Sequence, residues 1–256
     1  MTDELLWQAA DGVGRITFNR PAQRNALTWA MYDGLVEAIE RANGDESLRV
    51  LVITGAGGKA FAAGTDIGQF RAFDSPADAI GYEQRIEHVL DTLESCRLPT
   101  IAAIEGACTG GGAGIAACCD LRIAAEGSRF GFPIAKTLGN CLSMTTLARL
   151  SALMGAARVK EMIFTARLLE AEEAGRAGFV GEVVPVAEFQ ARVDALARNV
   201  AGMAPLTLRS TKMALRKLRP AIVEDEALIL MAYQSADFRE GMEAFLGKRP
   251  PQWRGA

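Results

Sequence analysis

Two glycine-rich turns hold the groups best placed to do chemistry. They are Phe61-Ala-Ala-Gly64-Thr65-Asp66-Ile67 and Gly106-Ala-Cys-Thr-Gly110-Gly111-Gly112-Ala113-Gly114. Each reads as the junction between a buried strand and a helix. At such a junction the first backbone N–H groups have no intrahelical partner and carry the positive end of the helix dipole. Small residues let a ligand approach them closely. Two such turns facing one another could aim two donors at one oxygen atom, which is an oxyanion hole. Tight packing alone also selects glycine at these junctions, so spacing leaves both readings open. Gly55-Ala-Gly-Gly-Lys59 lacks the full phosphate-loop spacing, and Gly106–Gly114 lacks G-x-G-x-x-G.

Side-chain chemistry has little material. The single histidine, His88, leaves His-based metal sites and Ser–His relays almost nothing to work with. Five cysteines, Cys96, Cys108, Cys118, Cys119 and Cys141, are odd in number and form no C-x-x-C pair. Neither a disulfide framework nor a zinc knuckle fits, and no metal site is expected.

The elements around the turns can be read from apolar periodicity. Leu5–Ala9, a turn at Asp11-Gly12 and Arg15–Asn19 form a hairpin. Pro21 stops the second strand, and a helix from Thr28 carries Met31, Leu35, Val36 and Ile39 on one stripe. Val50–Ile53, Ile101–Ile104 and Asp120–Ala124 read as strands of an inner sheet. Ser75-Pro76 opens a helix whose core face is Tyr82, Ile86, Val89, Leu90 and Leu93. The rhythm predicts parallel crossovers. After Leu142 the chain reads as helical almost throughout, with one stripe at Phe189, Val193, Leu196 and Val200 and another helix holding Ile222, Ile229 and Tyr233. Asp237-Phe-Arg-Glu240 has the spacing of a capping box opening the last helix.

Composition bounds the partners. The chain has 256 residues, 50% of them hydrophobic and 23% charged, with a net charge of −3. A length of this order buries enough apolar surface to fold without staples. The near-neutral charge argues against a nucleic-acid partner. Asp120, Arg122 and Glu126 interrupt the richest apolar stretch, so no transmembrane run is expected. Met1-Thr2-Asp3-Glu4 is acidic where a secretory leader is basic, and the expectation is a cytoplasmic protein.

Taken in order, the motifs resemble the crotonase family, also called the enoyl-CoA hydratase/isomerase superfamily. The matching pieces are Ile16-Thr-Phe-Asn-Arg-Pro21 with Asn25-Ala26-Leu27, then Ala60-Phe-Ala-Ala-Gly-Thr-Asp66, then Gly110-Gly-Gly112 followed by Cys119-Asp120. Phe130-Gly131-x-Pro133 and Glu240-Gly-Met-x-Ala-Phe245 complete the set along nearly the whole chain. The resemblance implies an α/β fold, a ββα spiral core over 1–200 with a helical C-terminal trimerisation region over 201–256. It implies an acyl-coenzyme A thioester as ligand, with no cofactor beyond the coenzyme A moiety, and self-association as a trimer or dimer of trimers. The family's oxyanion-hole amides fall on Thr65 and Gly111. Arg24, Ala26, Ala62, Asp66 and Ile67 fall where relatives fold around adenine and pantetheine. Phe245 and Lys248 fall where relatives approach the coenzyme A site, in some cases a neighbouring subunit's.

One departure matters as much as the match. A hydratase of this family carries glutamates two residues after the glycine triplet and directly after the F-G-x-P proline; here those positions are Gly114 and Ile134. Neither transfers a proton, and hydration needs a positioned base and acid. The regions that carry functional side chains in non-hydratase relatives supply Asp74, Glu83, His88, Asn140 and Cys141. His88 shares a polar helix face with Arg85 and Thr92, and Cys141 reads as an inert thiol unless its pKa is lowered. Glu105 reads as structural and Tyr233 as packing. The expectation is therefore an acyl-CoA enzyme whose reaction is open among hydration, isomerisation, decarboxylation, C–C cleavage and thioester hydrolysis. The alternatives are a catalytically silent acyl-CoA-binding homologue and, against the net charge, an RNA-binding member.

Overall fold

The computed structural model describes residues 3–218 and 226–255; Ile222, expected on a C-terminal helix, lies outside them. Strands β1 (Leu5–Ala10) and β2 (Val13–Phe18) pair antiparallel around Asp11 and Gly12, whose φ angles are +51° and +76°. Two successive positive φ values give the tight turn whose twist matches the flanking strands. Helix α1 (Trp29–Gly44) starts at Thr28, whose hydroxyl accepts the Met31 amide, and it buries Met31, Leu35 and Ile39.

Three strand–strand–helix repeats follow. The first is β3 (Val50–Gly55), β4 (Ala60–Ala62) and α2 (Pro76–Ser95). The second is β5 (Thr100–Ile104), β6 (Ala107–Thr109) and α3 (Gly111–Cys118). The third is β7 (Leu121–Ala125), β8 (Arg129–Gly131) and α4 (Ile134–Thr137). Then come α5 (Met144–Met154), α6 (Ala156–Phe164), β9 (Leu169–Glu170), α7 (Ala171–Arg176), β10 (Glu182–Val184), α8 (Phe189–Ala201), α9 (Pro205–Lys217), α10 (Glu226–Tyr233) and α11 (Ala236–Leu246).

The first strand of each repeat joins one sheet and the second strand joins another. Among the described residues the larger sheet runs β1-β2-β3-β5-β7-β10, parallel from β2 onward, and the smaller runs β4-β6-β8-β9. This is the ββα spiral. The unbroken apolar run of β3 serves both faces: Leu51 and Ile53 enter the main core with α1 and α3, while Val50 and Val52 pack with Phe189 and Val193 of α8. A sheet covered on both sides requires such a run.

Several expectations are corrected. Strand β4 runs into the first glycine-rich segment and β6 lies within the second, and β9 and β10 interrupt the region expected to be helical almost throughout. Strands of two or three residues are too short to show a period of two. The expected third strand is shifted by one residue. Asp120 precedes it, and its carboxylate accepts the Thr100 amide (2.8 Å) and Lys212 Nζ (2.7 Å). The last helix is capped by Ser235, whose hydroxyl accepts the Phe238 amide at 2.9 Å. Asp237 and Glu240 instead tie down the tail: Asp237 accepts the Arg254 and Gly255 amides, and Glu240 the Arg249 guanidinium and the Gln252 amide.

Candidate active site

Both glycine-rich turns open onto one cavity of about 570 Å³. Thr65 and Gly111 lie in its wall. The Leu27 strap sets the first turn, because its N–H donates to the Gly64 carbonyl at 2.8 Å and its own carbonyl accepts the Asp66 amide at 2.9 Å. The peptide groups on either side of Thr65 are thereby used. Among the described residues the Thr65 amide itself has no acceptor. Gly111 is the first residue of α3, where no intrahelical acceptor exists for its N–H. Gly110 before it has φ +52° and ψ −125° and is held by its amide's 3.0 Å bond to the Gly131 carbonyl. Two donors thus border one cavity, one of them at the positive end of a helix.

The strap is itself anchored. Asn25, fully buried, accepts the Arg20 amide at 2.9 Å and donates to the carbonyls of Ala56 and Ala60. The Asn-Ala-Leu motif is therefore a fully satisfied polar clamp holding Leu27 against Thr65.

A chain of hydroxyls lies behind the first turn. The Thr65 hydroxyl bonds Tyr32 Oη at 2.8 Å and Tyr82 Oη at 3.1 Å. Burial pushes both phenol pKa values well above the ordinary range, so both remain neutral donors and acceptors. A methyl group on Gly111 would run into Tyr32 Oη, which fixes glycine at that position. A second chain enters from α2 and α10. Asn140 Nδ2 donates to Tyr233 Oη at 3.2 Å, and Tyr233 Oη donates to Glu83 Oε1 at 2.6 Å. Asn140 Oδ1 is buried without a hydrogen-bond partner among the described residues.

Arg24, Ala26, Asp66, Ile67, Asn140, Cys141 and Phe245 line the cavity together with Thr65 and Gly111. So do Gly114, Ile134 and Glu83. His88 does not: α2 turns it to solvent, where its carbonyl accepts the Thr92 hydroxyl, so it is withdrawn as a catalytic candidate. Ala62 is wholly buried at the end of β4 and forms no part of the wall, and Lys248 is exposed beyond α11. Asp74 and Glu105 also lie outside the wall. Tyr233 packs among Phe70, Ile229 and Phe238 as expected and also donates a hydrogen bond to Glu83. Cys141 Sγ contacts the Leu228 carbonyl at 3.7 Å. The other four thiols are buried, and burial raises their pKa values, that of Cys119 to about 12, which makes them inert. Among the described residues no three His, Cys, Asp or Glu side chains cluster as metal ligands, and no helix is long and apolar enough to cross a membrane.

Tyr82 is a site residue that apolar periodicity reads as core, and Tyr32 is one that periodicity does not single out. Their hydroxyls were the available signal, since leucine would fill the same stripe without one.

Spiralling strand–strand–helix repeats that carry a cavity edged by two glycine-rich turns define a crotonase-fold protein. Residues 8–256 match the family model described as enoyl-CoA hydratase/isomerase. The chain is 35% identical over 260 residues to a probable enoyl-CoA hydratase of Rhodobacter capsulatus, covering 98% of each chain. It superposes with TM-score 0.82 and 34% identity on an enoyl-CoA hydratase/carnithine racemase of Magnetospirillum magneticum, covering 100% and 97% of the two chains. It also matches a methylmalonyl-CoA decarboxylase in complex with 2-nitronate-propionyl-CoA, with TM-score 0.91, 28% identity and 99% coverage of both. The chain belongs to the enoyl-CoA hydratase/isomerase family.

Proposed function

We propose that this protein binds an acyl-coenzyme A thioester with its carbonyl oxygen between the amides of Thr65 and Gly111, and turns it over through an enolate by a route other than two-glutamate hydration. The observation that carries this reading is the pair of amides that border one cavity and have no acceptor among the described residues. As charge develops on the thioester oxygen, each such donor is worth about 2.7–4 kcal/mol. Arg24, Ala26, Asp66 and Ile67 supply the wall for the coenzyme A portion, and Phe245 of α11 lines the same cavity. The positions that hold glutamate in a family hydratase are Gly114 and Ile134, and both face this cavity. The decarboxylase among the structural relatives supports a chemistry other than water addition on the same fold.

The lack of both glutamates also favours a second reading, a silent acyl-CoA binder. A panel of acyl-CoA esters separates the two: turnover of any member supports the enzyme, and tight binding without turnover supports the silent homologue. Thr65→Ala leaves the amide in place, and most of the activity is expected to survive. Tyr32 and Tyr82 lose their shared hydroxyl partner, so the variant should be less stable by about 1–3 kcal/mol in denaturant titration. Loss of activity with fold and binding retained would make the hydroxyl catalytic.

We further propose assembly as a trimer or dimer of trimers. Helix α9 buries none of its residues in its own chain: Leu206 and Leu215 are 75% and 61% exposed, and Met231 on α10 is 71% exposed. Such surplus apolar faces mark subunit contacts, and an assembly would let Lys248 serve a neighbour's coenzyme A. Sedimentation at micromolar concentration should show a species of at least three protomers. A clean 27.3 kDa species would reject the assembly.

A further inference from the structure

We propose that Glu83 is the proton-transfer group of this cavity, taking a proton from the carbon beside the thioester carbonyl; this rests on the acyl-CoA reading above. The other acidic, phenolic and thiol groups in the wall are each held by contacts of their own. Asp66 accepts Arg20 Nη1 at 3.1 Å and the Gly68 amide at 3.2 Å. The phenols of Tyr32 and Tyr82 are spent on Thr65. Cys141 Sγ is engaged by the Leu228 carbonyl. Glu83, only 8% exposed, sits on α2 and borders the same cavity as Thr65 and Gly111.

Its hydrogen-bond chain has a direction. An amide nitrogen only donates, so Asn140 Nδ2 donates a hydrogen bond to Tyr233 Oη, and the single Tyr233 O–H donates to Glu83 Oε1. A phenol is a neutral partner. It orients the carboxylate without supplying an opposite charge. A carboxylate held in this way is suited to accept a proton from carbon.

The step balances without water or a redox partner. Glu83 takes the C2 proton, and the C2–H electron pair forms the C1–C2 double bond. The carbonyl pair moves onto the oxygen between Thr65 and Gly111. Return of the proton to C2 gives exchange; return to C4 of a 3-enoyl ester gives the 2-enoyl isomer. One carboxylate suffices for either, which points to proton shuttling as the reaction class.

The test uses butanoyl-CoA and trans-3-hexenoyl-CoA in D₂O with the full chain. Deuterium at C2 is read by mass spectrometry, the 2-enoyl product by absorbance, and binding of the same esters by calorimetry. Wild type is expected to exchange or isomerise. Glu83→Gln should lower the rate by about 10²–10⁴-fold with the ester dissociation constants retained. Glu83→Asp, which keeps the charge and shortens the reach by one carbon, gives an independent variant should the glutamine protein fold poorly. Its rate should also fall while binding persists. Either folded variant working at the wild-type rate overturns the assignment, as does wild type that binds both esters and moves no proton. Failure of wild type to bind either ester overturns the acyl-CoA reading beneath it.

Discussion

Gly111→Pro in a Tyr32→Phe background is expected to lower kcat on any accepted acyl-CoA by about 10²–10³-fold, the usual effect of deleting one oxyanion donor. Proline removes the N–H outright. The backbone should tolerate it, because Gly111 is the first residue of α3, where proline's fixed φ suits a helix start. Gly110 at φ +52° and ψ −125° is the mirror image of the extended conformation that precedes proline, and glycine adopts it without penalty. The background change is needed because any side chain at position 111 meets Tyr32 Oη. Gly111→Ala in the same background is the control, since it adds the Cβ but retains the donor. Steady-state rates of the two double variants therefore differ by the amide alone. Equal rates would show that the Gly111 amide does not hold the reacting oxygen.

The parts of this site differ in how far one dimension of sequence could reveal them. Strands β3, β5 and β7 were legible because each is an apolar run of several residues between turn signals. Strands β4, β6 and β8 were not, because three residues carry no period and their partners lie in other repeats. Thr65 and Gly111 could be named because a backbone donor needs only the local turn and the small residues around it. Tyr82 and Tyr233 could not be assigned a role, since each keeps the spacing of a core residue. Where a hydroxyl points depends on elements far along the chain: Tyr233 reaches Glu83 across 150 residues, and Tyr32 reaches Thr65 across 33. The same limit kept Glu83 among several candidates. The polar face that His88 shares with Arg85 and Thr92 is legible in the sequence, but nothing local shows that Glu83 turns inward while Arg85 pairs with Asp33 outside.

Crotonyl-CoA hydration is expected to be slow, and placing glutamates at both Gly114 and Ile134 is expected to raise it. Each general acid or base contributes about 10²–10⁴-fold to such a reaction. Water addition needs one group to deprotonate water and another to protonate C2. Glu83, as assigned above, supplies at most one of them. Both replaced positions line the cavity, so carboxylates there would face the substrate. A Cβ at position 114 would meet only the Leu90 methyl groups at 3.8 and 3.9 Å, an ordinary contact, so the first atom of the new side chain fits. The cost falls on stability, since each new carboxyl enters a largely apolar wall, and the double variant should unfold at lower denaturant than wild type. Loss of the enoyl chromophore with time gives the rate for wild type, both single variants and the pair. The singles should gain little, because either leaves one half of the proton traffic unassisted, and the pair should gain most. Wild type hydrating crotonyl-CoA at an ordinary enzymatic rate of roughly 1–10³ s⁻¹, with contaminating hydratase excluded, would show that other groups already perform both transfers.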